Sequence, residues 1–433
     1  MPPTDGLGRL IRLALPALVV LAAEPLYLLV DSAVVGHLGS RELAALAIGG
    51  GVLTMCAWLG TVLAYGTTGR AARQFGAGQR AEAVAEGVQA SWLAIFAGGL
   101  LIVLGEVFAG VLCRALAGDA AIADAAAQWL RVAILGAPGL LLATAGHGWL
   151  RGVQDTRRPV RFALGVNVLS AVLCPVLVYP AGLGLVGSAV ANAVAQLCGG
   201  VLFVNALRTE GVSLRPDWGR LRSQLTLGRD LLLRGAAFQV SFLTAAAVVA
   251  RFGAPSLAAH QVALQLWMFC AFLLDAVAIA AQSLVGAALG AGDAAQAKRV
   301  ARRAALLGAG AGTGQGVLVL LGAGTIPHWF SADPAVWAAA ASAWPWFVAM
   351  QPAAGVVFAL DGVLIGAGDA RYLRNATIAA ALCGFLPGTL AAAYWDLGLG
   401  GVWAALTLFV AVRLVAMLLR MRHGGWAVAG ATR

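Results

Sequence analysis

Gly148-Trp149-Leu150-Arg151-Gly152-Val153-Gln154-Asp155-Thr156-Arg157 is answered 214 residues later by Gly362-Val363-Leu364-Ile365-Gly366-Ala367-Gly368-Asp369-Ala370-Arg371. Glycine, glycine, aspartate and arginine fall at the same places in both. At the same offset Gly76-Ala77-Gly78 returns as Gly290-Ala291-Gly292, and Leu43-Ala44-Ala45 as Leu257-Ala258-Ala259. Leu183-Gly184 and Gly187 return as Leu397-Gly398 and Gly401. Alanine matches carry little weight in so Ala-rich a chain, but a gapless register of Gly, Asp and Arg marks an internal repeat of one long unit.

The unit is written for lipid. Of 433 residues 61% are hydrophobic and 11% charged, against about 25% charged in a soluble domain. The net charge of +10 sits in short segments between apolar runs, which is the pattern of membrane topology and not of a nucleic-acid-binding surface. Nearly all the basic residues are Arg, and Lys298 is the single Lys. Six cysteines (Cys56, Cys113, Cys174, Cys198, Cys270, Cys383) form no C-x-x-C pair and read as small hydrophobes, so neither disulfides nor a metal site is expected.

A spanning helix needs about 20 mostly apolar residues. Such runs lie near 10–35, 46–69, 84–113, 125–150, 160–180 and 184–207, and again near 228–250, 258–289, 301–325, 337–366, 373–395 and 398–421. The pattern predicts an all-α integral membrane protein of twelve transmembrane helices in two pseudo-symmetric six-helix bundles. The N-terminal lobe is placed at 1–207, a cytoplasmic amphipathic linker at 208–227, and the C-terminal lobe at 228–433. In the linker Trp218, Leu221 and Leu225 stand at helical spacing behind Pro216. Arginines collect in alternate loops, which places both termini in the cytoplasm. Six spans per lobe then give both lobes one orientation, the parallel kind of transporter repeat. The apolar stretch behind Arg9 and Arg12 has a counterpart near Leu227–Val249, so it reads as a span and not as a cleaved signal. Pro16, Pro25, Pro138, Pro345 and Pro352 mark expected kinks.

Ionisable residues inside spans mark ion or substrate pathways. Glu24, Tyr27 and Asp31 share one face of the first span. A carboxylate one turn from a phenol in a partly dry cavity suits a proton site, so these three are the candidates for proton coupling. The polar candidates of the second lobe are Asp275, Gln239, Gln265 and Asp361. The repeat does not duplicate this chemistry: Glu24, Tyr27 and Asp31 answer to Phe238, Ser241 and Ala245, and Asp275 answers to Thr61. There is no G-x-x-x-x-G-K-S/T, H-E-x-x-H or G-x-S-x-G, so any pumping draws on an ion gradient or another chain. No catalytic cluster supports the remote alternative of a membrane-embedded enzyme.

Leu13-Ala14-Leu15-Pro16 followed by Val30-Asp31-Ser32-Ala33-Val34-Val35-Gly36-His37-Leu38 resembles the first span of the multidrug and toxic compound extrusion (MATE) transporters, in their DinF-like branch. Thr67-Thr68-Gly69 with Gln74-Phe75-Gly76-Ala77, Leu150 to Arg157, Arg229-Asp230 with Leu233-Arg234, Leu274-Asp275 through Gly286, and Leu360-Asp361-Gly362 through Gly366 match that branch in order. The resemblance implies two six-helix bundles that alternate access and export cationic or amphiphilic organic compounds in exchange for H+, with Na+ as the alternative ion and no cofactor. It also implies that Asp31 and Tyr27 belong to the proton site. Relatives carry Asn and, four residues later, Asp in the fifth span; here Asn167, Ser170 and Cys174 stand in that region, and Ser170 and Cys174 align with the polar pair. The second carboxylate is thus missing, and Glu24 stands as its candidate replacement. Small amphiphiles and the lipid bilayer are the expected partners, with no nucleic acid, in a monomer of the bacterial inner or plasma membrane. A lipid-precursor flippase of the same superfamily is the near alternative, but such proteins carry cationic cavities, whereas the intramembrane groups noted here are acidic.

Overall fold

The computed structural model describes residues 6–431, without the side chain of Glu24. The described residues form helices and no strand. Twelve helices are long and apolar enough to cross a membrane: α1 (Gly6–Gly36), α2 (Ser40–Gly76), α3 (Arg80–Leu116), α4 (Ala120–Gly152), α5 (Arg157–Val178), α6 (Gly184–Thr209), α7 (Trp218–Ala250), α8 (Ala254–Gly290), α9 (Ala294–Leu321), α10 (Pro334–Gly366), α11 (Ala370–Tyr394) and α12 (Gly398–His423). They form two compact units. One runs from Val19 to Gly228; the other begins at Arg229 and takes in α1 up to Leu18.

The 214-residue register governs the helix ends. Both ends of α8 lie 214 residues beyond those of α2, and the same holds for α12 against α6. The turns repeat as well. After α2, Ala77, Gly78 and Gln79 bond back to Arg73, Phe75 and Gln74; after α8, Ala291, Gly292 and Asp293 bond back to Ala287, Leu289 and Ala288. Gly78 and Gly292 take φ of 79° and 81° there, a conformation that disfavours any side chain. Among the described residues, the two non-glycine residues with positive φ, Gln154 (60°) and Asp396 (52°), each occupy a place where the other repeat has a glycine, Gly368 and Gly182.

Within each unit one helix is the hub. In the first, α4 packs on α2, α3 and α6; in the second, the equivalent α10 packs on α8, α9 and α12. Small residues permit this. A Cβ on Gly148 would stand 2.8 Å from the Ala64 carbonyl oxygen, and Gly152 faces Ala71 and Thr68. Gly362 and Gly366 meet the backbone of Ala278 and Gln282 in the same register. Thr68 Oγ1 also donates to the Gly148 carbonyl at 2.9 Å. The quoted repeat is thus a pair of small-x-x-x-small contacts, the usual means of close helix approach in lipid. Pro138 and Pro352 are equivalent too. Pro138 follows a 3-10 turn at Ile134–Gly136 that divides α4, and Gly98 and Gly312 pack on the two prolines. A π turn at Ala381–Phe385 divides α11 ahead of Pro387.

The structure corrects the linker. Residues 218–227 do not form a separate amphipathic helix; they are the first turns of α7, continuous into the span. No proline lies between Trp218 and Ala250, and the helix runs through Gly228 where the apolar run begins. Asp217 opens it, its carboxylate accepting from the backbone N–H groups of Gly219 (2.9 Å) and Arg220 (3.1 Å). Leu221 is buried, whereas Trp218 and Leu225 are exposed. The segment is tied to α3. Trp92 Nε1 donates to the Leu214 carbonyl (2.9 Å), Gln89 brackets Arg215 and Asp217, and Gln224 donates to Glu86 (2.8 Å), which also accepts from Arg70 (2.7 Å). Arg220 pairs with Glu82. Beside it, burial would raise the Glu210 carboxyl, but Arg80 and Arg158 outweigh this and hold it below the usual carboxylate range.

Candidate functional site

Three helices of the first unit converge on Asp31. On α1, Tyr27 and Asp31 lie one turn apart and both are buried, Asp31 with 2% of its surface exposed. On α5, Ser170 and Cys174 lie one turn apart and are buried, and Asn192 is buried on α6. The Cys174 thiol donates to Asp31 Oδ1 at 3.1 Å. The Tyr27 hydroxyl faces Ser170 and Asn192 and has Asp31 as its neighbouring charge. Tyr27 Oη, Ser170 Oγ and Asn192 Oδ1 are buried without a hydrogen-bond partner. Cys174, Val178 and Ala191 pack with Val34, Leu38, Leu173 and Leu177 into an apolar floor, and Tyr179 ties α5 to α1 through the Val34 carbonyl at 2.7 Å. Pro175 lies within α5 and lacks a helix N–H.

Among the described residues no basic side chain bonds to Asp31. A buried carboxylate without a counter-charge is costly when ionised. When ionised, Asp31 favours a cation nearby, with the thiol as a donor already in place and the oxygens of Tyr27, Ser170 and Asn192 close by. A valine at Cys174 keeps the packing and deletes the donor, whereas serine keeps a donor. Cys174→Val is expected to lower the initial rate of dye efflux about tenfold, the scale of one hydrogen bond to a charged group, with Cys174→Ser near the parent. Equal rates for both variants would show that the thiol does no more than fill space.

The other sequence candidates are not gathered here. The Glu24 side chain lies outside the described residues. Asn167 is half-buried and its amide donates to the Ala163 carbonyl of its own helix at 2.9 Å. In the second unit Asp275 is half-buried on α8 and engaged in an interaction of its own. Gln239 and Gln265 are exposed, and among the described residues no hydrogen bond joins either to Asp361, so they do not form one polar site with it. Asp361 is buried and ion-paired, accepting from Arg234 Nη2 (2.6 Å) and Arg413 Nη2 (2.8 Å). Sequence reading missed Asn192 and Arg413. An arginine inside the last apolar run was the available signal for the second; a single Asn among alanines offered little for the first.

Twelve apolar helices in two repeated units, one of them enclosing a carboxylate with no basic partner among the described residues, define a membrane protein of the transporter class. The MatE family model matches residues 16–176 and again 231–390, once in each half. The chain belongs to the MatE family, and is accordingly a multi-pass membrane transporter and not an enzyme. It is 33% identical to DNA damage-inducible protein F of Escherichia coli (strain K12), over 96% of this chain and 93% of that one. It is 31% identical to Protein DETOXIFICATION 44, chloroplastic, of Arabidopsis thaliana, over 98% of this chain and 85% of that one. Its fold matches a MATE crystal structure in the bent conformation with a TM-score of 0.87 at 21% identity, covering 97% of both chains. A eukaryotic MATE transporter, AtDTX14, matches with a TM-score of 0.84 at 18% identity, covering 98% of both.

Proposed function

We propose that this protein is a secondary active antiporter that exports cationic or amphiphilic organic compounds by alternating access, in exchange for H+ taken up at Asp31. The observation that carries this reading is the burial of Asp31 with a neutral thiol as its only bonded partner among the described residues. A proton neutralises the carboxylate and needs no coordination shell; its release restores a charge that a cationic guest offsets. Tyr27, Ser170 and Asn192 surround the carboxylate with groups that can donate or accept, and Glu24 remains the candidate second carboxylate. Among relatives, the probable multidrug resistance protein NorM of Thermotoga maritima and Protein DETOXIFICATION 44 of Arabidopsis thaliana support an efflux role by name. The alternation of arginine-rich loops supports a cell-membrane location with both termini cytoplasmic, and the single-chain fold is read as a monomer. A lipid-precursor flippase is the alternative within the superfamily.

One observation favours Na+ as a second reading. The unpartnered oxygens of Tyr27, Ser170 and Asn192, with the Asp31 carboxylate, are hard ligands of the kind an alkali cation takes. The purified protein in liposomes, loaded with a cationic dye under separate H+ and Na+ gradients, decides between them. Dye movement is expected with a pH gradient alone. Movement only with Na+ reassigns the coupling ion, and movement with neither gradient rejects the antiporter.

A further inference from the structure

In the second unit two guanidiniums share one carboxylate. Arg413 on α12 is 3% exposed, and its Nη2 donates to Asp361 Oδ1 and Oδ2 at 2.9 and 2.8 Å. Arg234 on α7 donates to Asp361 Oδ2 at 2.6 Å, with 14% of its side chain exposed. Phe238, one turn beyond Arg234, lies under both cations, its ring centroid 4.7 Å from Arg413 Cζ and 5.5 Å from Arg234 Cζ. Phe409, one turn before Arg413, adds a second ring at 5.9 Å.

The charges do not balance. Two cations face one anion, and among the described residues no other carboxylate pairs with either arginine. The Nε–H of each guanidinium is buried without an acceptor. A pair that served only to hold α7, α10 and α12 together needs one cation per anion, and a buried charge left over is costly. The aromatic faces offset part of that cost. The scaffold does not require the group either, because Arg234, Asp361 and Arg413 answer in the other repeat to Val20, His147 and Gly199.

We propose that Arg234 and Arg413 form an anion site within the second unit, which takes one oxyanion group, a carboxylate above all, while Asp361 holds the two guanidiniums in place. The planar guanidinium fork matches a carboxylate in two parallel bonds, and the two phenylalanine rings suit a flat organic acid. This stands apart from the proton-coupling reading, since it uses no residue near Asp31.

The test is calorimetric titration of the purified full-length chain in detergent with sodium benzoate, with neutral benzamide at the same ionic strength as control. Saturable binding of benzoate and none of benzamide is expected, and Arg413→Gln weakens it at least about tenfold, the scale of a lost charge-assisted bond. Asp361→Asn removes the resident anion, so its melting temperature is expected to climb with benzoate and to ignore benzamide. Repeating the titration in phosphatidylcholine vesicles with and without phosphatidylglycerol separates the two sources of oxyanion. Competition by phosphatidylglycerol assigns the site to a lipid phosphate, and undiminished benzoate binding assigns it to a soluble acid. Equal heats for benzoate and benzamide, or an Arg413→Gln protein that binds benzoate as the parent does, overturn the proposal. The parent titration decides even if Asp361→Asn fails to fold.

Discussion

Asp31→Asn is expected to reduce dye efflux to the level of cells that lack the protein, while the amount of protein in the membrane stays unchanged. Asparagine has the shape of aspartate and can still accept from the Cys174 thiol that now lies 3.1 Å from Oδ1, so the packing of α1 on α5 survives. What it cannot do is alternate between a neutral and a charged form. If Asp31 carries the proton, losing that alternation removes coupling altogether and is not a partial defect. Efflux in everted vesicles, read beside an immunoblot of the membrane fraction, separates the outcomes. Efflux at the parental rate would remove Asp31 from the coupling site. Loss of both protein and efflux would make it a structural residue.

Gly362→Val is expected to act on the fold itself. A side chain at 362 would be driven into the backbone of Ala278 on α8, and backbone cannot yield as a flexible side chain can. Overpacking in a well-filled core costs about 1–3 kcal/mol or more, and here α10, the hub of the second unit, is what must move. The yield of monodisperse protein on size-exclusion chromatography should fall at least about tenfold. Gly165→Ala is the matched control, since nothing lies within 4 Å of its added Cβ. In a helix it should be neutral or stabilising, by up to about 1 kcal/mol. Equal yields for the two variants would refute the close-packing role of the repeated glycines.

Much of the fold was legible because a long repeat and a long apolar run are both patterns along the chain. The 214-residue register placed the turns at Gly78 and Gly292 and the close contacts of Gly148 and Gly362 as pairs. It even pairs the left-handed positions Gln154 and Gly368. The linker reads differently for a local reason: loss of hydropathy at 218–227 looks like the end of a span, whereas the backbone carries no proline there and stays helical through Gly228 to Ala250.

The site was legible by half. Tyr27 and Asp31 share a helix face by spacing alone, so α1 declares them. That Cys174 faces Asp31 depends on how α5 is rotated against α1, which an isolated stretch of Asn167, Ser170 and Cys174 leaves open. Gln239 and Gln265 looked like site residues because they are polar among apolar neighbours, yet each turns to an exposed face. Asp361 looked like a transport carboxylate until Arg234 and Arg413, 127 residues before it and 52 after it, closed on it.

By itself the sequence determined that the protein is a doubled six-span unit and that its halves differ in chemistry, because hydropathy, spacing and register act locally or at one constant offset. Only the tertiary structure decided which buried charges are paired. Pairing depends on contacts between helices far apart in the chain, and these leave Asp31 with a thiol and Asp361 with two guanidiniums.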